Sequence, residues 1–161
     1  AIWVLGIPLL AAGKFNLNGT DVGLVLLWVN VVHLVAAVPF GRVIRGTGAP
    51  ISLAIGFLLA GLGMVLTPIA STPLYLALPL ALYAMGQVAG NSSAGDLILR
   101  LGGGGGKSVG AVRLSSDVGM VVGPAVAGMI ADRAGVEAPF LVLGVLSLFC
   151  SGAVVISRLR R

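Results

Sequence analysis

The sequence predicts an all-α bundle of membrane-spanning helices, and three features of the chain lead to that prediction. Of the 161 residues, 58% are hydrophobic and only 9% are charged, whereas a soluble domain has about 25% charged residues. The apolar residues are gathered in runs of about 20, the length that a helix needs to cross a bilayer. Most basic residues lie between these runs. The first expected partner is therefore the lipid bilayer.

Residues 1–161 are predicted to form a single membrane domain of six helices. Five apolar runs are long enough to span the membrane, at 23–40, 51–70, 74–95, 109–131 and 139–156. The opening run, residues 1–12, rises only about 18 Å as a helix, which is too short to span. We interpret this run as the end of a truncated helix, so we expect the chain to be a fragment of a longer polypeptide.

The basic residues test this topology independently. All Lys and Arg residues except Lys14 and Arg133 fall on one side of the predicted bundle, which the positive-inside rule identifies as the cytoplasmic side. The net charge of +5 then reflects topology rather than nucleic-acid binding. The short loops and the abundance of Ala, Gly, Val and Leu suit a protein of the bacterial inner membrane.

A glycine-rich segment at 99–108 contains five consecutive glycines ahead of Lys107 and Ser108. A phosphate-binding loop has the pattern G-x-x-x-x-G-K-[ST] between a strand and a helix. Here Leu101 occupies the position of the first glycine, and a membrane helix precedes the segment. We therefore predict a flexible cytoplasmic connector. No cysteine or second histidine stands at metal-ligand spacing, and neither a metal nor a cofactor is expected.

Polar side chains on the second and fourth helices predict a shared interior cavity. Asn30 and His33 lie three residues apart on the second helix, so they share a face. A stripe on the fourth helix repeats every four residues, at Tyr83, Gln87 and Asn91. Polar groups at membrane depth usually face a cavity or a partner, because exposure to lipid is costly. Two alternatives remain: His33 also suits a backbone hydrogen bond, and the amides also suit contacts between helices.

Charged residues distinguish the fifth helix from the third and the last. Arg113 and Asp117 are four residues apart, close enough to pair within the fifth helix. We interpret them as an ion pair or gate near the cytoplasmic boundary, with proton coupling as the alternative. The third and last helices carry no charged residue in their apolar runs, 51–70 and 139–156, and are predicted to be lipid-facing supports.

The fifth helix also carries a seam of small residues. Gly119, Gly123 and Ala127 recur at every fourth position, a spacing that lets another helix approach closely. Pro124 lacks the N–H of the backbone ladder and permits a bend. Together these residues predict a packed, kinked helix that is suited to rocking.

The segment RLSSDVGMVVGPAVAGMIADRAG, residues 113–135, resembles the eleventh helix of the major facilitator superfamily of secondary transporters. It is similar to the family motif G-x-x-x-G-P-x-x-G-G at four positions, with alanine replacing one glycine: Gly119, Gly123, Pro124 and Gly128. The stretch GRVIRGTGAP is similar to the family's cytoplasmic loop G-x-x-x-D-R-x-G-R. Gly41 and Gly48 match that pattern, whereas Arg45 stands where the family has Asp.

The resemblance covers the whole chain and implies that its helices correspond to numbers seven to twelve of a twelve-helix transporter. Such proteins work by alternating access, with the substrate held between two halves. The resemblance therefore implies transport of a small molecule, with proton-coupled efflux as one mode, and a missing amino-terminal half of the same polypeptide. It places the five polar residues in the central cavity, and Arg113 and Asp117 at the cytoplasmic gate.

Two other classes of protein are alternatives to a transporter. A packing or sensor subunit would use the same helix seams without a transported ligand. A membrane-embedded enzyme would need clustered ionisable groups at membrane depth, and only His33 and Asp117 qualify. Because these two lie on different helices with no recognisable spacing, we do not expect an enzyme.

Overall fold

The computed structural model describes residues 6–101 and 106–159. The described residues are 93% helical and contain no strand, and five helices are long and apolar enough to cross a membrane. The prediction of an all-α membrane bundle is confirmed. The helices are α1 (Ile7–Phe15), α2 (Gly19–Thr47), α3 (Ala49–Leu66), α4 (Ala77–Leu101), α5 (Gly106–Ala134) and α6 (Ala138–Leu159), with short 3-10 turns at Thr67–Ile69 and Pro73–Leu76.

Several helices are longer than the apolar runs that predict them. α2 and α5 each contain 29 residues, because backbone hydrogen bonding continues into the polar residues beyond the apolar run. α4 and α5 also extend into the predicted glycine-rich loop, ending at Leu101 and beginning at Gly106. Residues 102–105 of that loop lie outside the described residues.

The segment after the second apolar run is mostly helical. Gly41 and Arg45 lie inside α2, and only Gly48 forms the turn into α3. Gly48 has a φ of +83°, a conformation that glycine adopts without a steric penalty. Pro50 then lies in the first turn of α3, where its missing N–H costs no hydrogen bond. The structure therefore corrects the predicted loop at Gly41 and Arg45, since a single glycine reverses the chain.

α3 lies between α4 and α6 and runs antiparallel to both. Its backbone is so close to α4 that a Cβ atom on Gly56 would lie 2.6 Å from the backbone nitrogen of Gly90. On the opposite face, a Cβ atom on Gly61 would lie 2.8 Å from Cγ of Leu148. The prediction of α3 as a lipid-facing support is therefore incomplete, because its small residues let two helices pack on it at once while Ile51, Leu58 and Leu62 stay exposed.

α5 is covered far less than α3. Among its described side chains, only Ala127 and Ala131 are buried. A Cβ atom on Gly119 would meet open space, while Gly123, Pro124 and Gly128 are half-buried. The small-residue seam thus has a neighbour only towards its carboxy-terminal end. α5 continues as one helix through Pro124.

The predicted non-cytoplasmic end of the bundle is held by a lysine. Nζ of Lys14, at the end of α1, lies 2.6 Å from Oε1 of Glu137 in the turn between α5 and α6. The same ammonium group donates to the carbonyl of Pro68, which follows α3. One side chain therefore links three segments that are distant in sequence.

Candidate functional site

A pocket between α2 and α4 is lined by polar side chains. Its volume is about 290 Å³, and the residues around it are Asn30, His33, Tyr83 and Gln87. The two helices run parallel there. Nε1 of Trp28 in α2 donates to the carbonyl of Ala77 at the start of α4, at 3.0 Å, and later turns of both helices share a buried cluster. This register brings together four of the five residues predicted to line a cavity.

The α2 side of the pocket consists of Asn30 and His33. Nδ2 of Asn30 donates to the carbonyl of Leu26 at 2.9 Å, and Nδ1 of His33 lies 3.2 Å from the carbonyl of Val29. Both contacts reach back four residues along the same helix, so they orient each side chain without a second helix. His33 therefore contacts the backbone and lines the pocket at once, and its two predicted roles are compatible.

The α4 side of the pocket is positioned by close packing behind the helix. A Cβ atom on Gly63 of α3 would lie 2.5 Å from the backbone nitrogen of Tyr83, which is only 5% exposed. The tyrosine hydroxyl and the Gln87 amide form no hydrogen bond with other described residues. Gln87 is half-buried, and both side chains line the pocket, so a molecule in the pocket can supply their hydrogen bonds.

Asn91 lies in an adjoining pocket of about 180 Å³ between α3, α4 and α6. Gln87 lines both pockets, so they meet at this side chain. Each residue turns an α-helix by about 100°, and eight residues therefore leave Asn91 about 80° around α4 from Tyr83. Exposure accordingly rises from Tyr83 to Gln87 to Asn91. The structure corrects the single predicted stripe, which divides at Gln87.

Ser147 of α6 also lines the second pocket, although the apolar run of α6 predicts a lipid-facing support. A signal was present, since Ser147 and Ser151 are four residues apart and share a helix face. The Ser151 hydroxyl donates to the carbonyl of Ala54 in α3 at 2.8 Å. α6 therefore turns Ser147 and Ser151 towards the bundle.

Arg113 and Asp117 lie outside both pockets. Both are exposed, and the described part of the chain contains no ion pair between them. The ion pair at spacing i, i+4 is formed instead by Asp96 and Arg100, at 2.8 Å. The structure therefore corrects the predicted pair, since exposed opposite charges gain little from pairing and need not meet, whereas the predicted gate stays a prediction.

The described residues include no group of three or more His, Cys, Asp or Glu side chains placed to hold a metal ion. No curated protein and no solved structure matches the chain. One family model does match, that of the Major Facilitator Superfamily, over residues 1–161. This match covers every helix described above, and the family consists of membrane transporters rather than enzymes. The chain therefore belongs to the major facilitator superfamily and is an integral membrane protein of that family.

Proposed function

We propose that the pocket between α2 and α4 is this chain's contribution to a path for a small molecule, which crosses the membrane by alternating access. The observation that carries the proposal is the convergence of four polar side chains from two helices in one pocket. Polar groups at membrane depth are costly and usually serve a pathway or a partner. Two of these groups, the phenol of Tyr83 and the amide of Gln87, have no hydrogen-bond partner among the described residues.

The chemistry of the pocket favours an uncharged polar or amphipathic solute. Its lining contains two amides, a phenol and an imidazole, and no carboxylate, lysine or arginine. A charged substrate would find no opposite charge in this lining. The volume of about 290 Å³ lies at the lower end of typical ligand pockets, roughly 300 to 1,000 Å³, and therefore suits a small solute or one end of a larger molecule.

We further propose that a second set of six helices completes the transporter as the other half of one polypeptide. The support for this comes from α5, whose span carries the exposed charges Arg113 and Asp117. A charge at the centre of a helix in lipid costs roughly 2.5 to 3.5 kcal/mol on insertion scales. Protein or water is a far better neighbour than lipid for this face, and a second half would supply both.

Proton-coupled efflux across a bacterial inner membrane is the specific mode that we propose, with Asp117 as the proton-carrying group. Asp96 is already paired with Arg100, whereas Asp117 has no cationic partner among the described residues. In Asp117→Asn, efflux driven by a pH gradient should be lost while exchange of substrate across the membrane continues. Unchanged pH-driven efflux in this variant would refute the coupling role.

The pocket is tested by measuring the flux of a panel of radiolabelled uncharged solutes in cells that produce the intact natural polypeptide. We expect His33→Ala and Gln87→Ala to lose flux at normal membrane abundance. Val35→Ala is the matched control, because Val35 is 68% exposed, lines neither pocket and lies on the face of α2 opposite His33. Asn91→Ala shows whether the second pocket belongs to the same path. Normal flux in both pocket variants would refute the proposal and favour a packing or sensor subunit.

A further inference from the structure

The second pocket, between α3, α4 and α6, has hydrogen-bonding side chains of its own. Its polar lining consists of Gln87, Asn91 and Ser147, and none of the described residues around it is charged. These three side chains form no hydrogen bond with another described residue. All three lie within membrane spans, where polar groups usually face a pathway or a partner. Because amides and hydroxyls both donate and accept, the pocket is equipped to bind an uncharged hydroxyl or amide group.

The other walls of this pocket are apolar, and a glycine leaves it open. Leu53 and Phe57 of α3 and Ala94 of α4 lie beside the polar groups. Gly90 also lines the pocket, and a Cβ atom there would meet nothing within 4 Å. Glycine inside a helix costs up to about 1 kcal/mol relative to alanine, although no described atom occupies the place of a side chain at this position. The missing side chain therefore leaves room for a ligand.

Neither pocket alone reaches the size of a typical ligand pocket. The pocket between α2 and α4 has a volume of about 290 Å³ and the second pocket about 180 Å³, whereas ligand pockets enclose roughly 300 to 1,000 Å³. Gln87 lines both pockets, and their combined volume falls within that range. Tyr83 in the first pocket and Asn91 in the second are eight residues apart, which corresponds to about 12 Å along α4. A molecule of that length can therefore fill both pockets.

We propose that the two pockets hold one substrate, an elongated and uncharged molecule with hydrogen-bonding groups at both ends. One end contacts His33 and Tyr83, and the Gln87 amide binds the middle. Asn91 and Ser147 bind the other end. This assignment rests on the function proposed above, to which it adds the length of the substrate and a contribution of α6 to specificity.

The length of the substrate is tested with radiolabelled uncharged solutes in matched short and long forms. Monosaccharides are paired with disaccharides, and N-acetyl amino acid amides with N-acetyl dipeptide amides. The short forms do not reach from Tyr83 to Asn91, whereas the long forms do. Flux is measured in cells that produce the intact natural polypeptide, relative to cells that lack it. The long form of at least one pair should cross faster than its short form.

The second pocket is tested by filling it in Gly90→Leu. Gly95→Leu is the matched control, because Gly95 is exposed on the same helix, a Cβ atom there also meets nothing within 4 Å, and it lines neither pocket. Gly90→Leu should reduce the flux of the long solute at least tenfold and leave that of the short one unchanged. Asn91→Ala and Ser147→Ala should each raise KM for the long solute about fivefold, which corresponds to one uncharged hydrogen bond, with the maximal rate unchanged. Membrane abundance and circular dichroism check that each variant is folded.

Three results would overturn the elongated substrate: wild-type flux of the long forms that is absent or no faster than that of the short forms, equal flux of the long solute in Gly90→Leu and Gly95→Leu, or an unchanged KM in both Asn91→Ala and Ser147→Ala. If His33→Ala still loses flux in these cases, the path between α2 and α4 stands and only the second pocket is excluded from it. Normal flux in both His33→Ala and Gln87→Ala would refute the proposed function as well.

Discussion

We predict that the contact between α3 and α4 tolerates an added methyl group at Gly90 of α4. The same methyl group at Gly86, one helical turn earlier, should disrupt that contact. A Cβ atom on Gly86 would lie 2.6 Å from the carbonyl oxygen of Gly56, which is 0.8 Å less than the 3.4 Å at which ordinary contact begins, and it would also meet the backbone of Ala60. A Cβ atom on Gly90 would meet nothing within 4 Å. The two helices must therefore separate in Gly86→Ala, and not in Gly90→Ala.

The expected magnitude follows from this geometry. Overpacking in a close-packed interior costs about 1 to 3 kcal/mol. If the two helices separate by about 0.5 to 1 Å, each contact between them loses a quarter to a half of its dispersion energy. Replacing glycine by alanine inside a helix gains up to about 1 kcal/mol of propensity, and this gain is common to both variants. Gly86→Ala should therefore be about 1 to 3 kcal/mol less stable than Gly90→Ala.

The assay is reversible unfolding of the purified protein in mixed detergent micelles with increasing dodecyl sulfate, followed by circular dichroism. Gly86→Ala should also reduce transport, because Gln87 is the next residue and lines both pockets. Equal unfolding free energies for the two variants would show that α3 and α4 are not in the close contact described, and would remove the basis for the placement of Tyr83 and Gln87.

Three further predictions use the same unfolding assay. Ser151→Ala removes a buried hydrogen bond between helices and should cost about 0.6 kcal/mol, whereas Ser157→Ala, whose hydroxyl bonds within its own exposed turn, should change nothing. Lys14→Met and Glu137→Gln should show a coupling free energy of about 0.5 to 1 kcal/mol in a double-mutant cycle, since the ion pair between these two side chains is only partly buried. Additive effects of the two substitutions would refute this ion pair. Phe140→Ala should cost about 3 to 5 kcal/mol, because Phe140 is among the largest fully buried side chains, and a loss below 1 kcal/mol would contradict its place in the core.

The helices and most of the polar pocket could be predicted from the sequence for physical reasons. A bilayer requires apolar runs of about 20 residues, and such runs are visible without any tertiary information. Asn30 with His33, and Tyr83 with Gln87, are spaced so that each pair shares a helix face. The packing of α2 beside α4, which joins the two pairs in one pocket, could only be hypothesised, because helical periodicity does not specify which helices are neighbours.

The parts that could not be predicted depend on contacts between helices. The position of α3 between two partners follows from glycines such as Gly56 and Gly61, which contribute to an apolar run in the same way as residues that face lipid. The pairing of Arg113 with Asp117 depends on what covers α5, and helical spacing carries no information about that cover. A spacing of four residues keeps Gln87 near the face of Tyr83, but over eight residues an α-helix drifts by about 80°, which carries Asn91 out of the stripe.

Cysteine accessibility can test directly, without a known substrate, whether the pocket between α2 and α4 is a water-filled part of the transport path. Cys150 is the only cysteine in these 161 residues, so Cys150→Ser, with any cysteine elsewhere in the intact polypeptide also replaced, supplies a cysteine-free background for single cysteines. Asn30→Cys and Gln87→Cys would report the pocket, Val35→Cys an exposed apolar face of α2 away from the pocket, and Ser71→Cys an exposed loop.

Each variant of the intact natural polypeptide would be treated in membranes with a charged, membrane-impermeant thiosulfonate, which reacts with thiolates in water. We expect Asn30→Cys and Gln87→Cys to react at rates comparable to Ser71→Cys, while Val35→Cys stays unlabelled. Rates for Asn30→Cys and Gln87→Cys no faster than that of Val35→Cys would contradict a water-filled path, because a pocket closed to water cannot carry a solute.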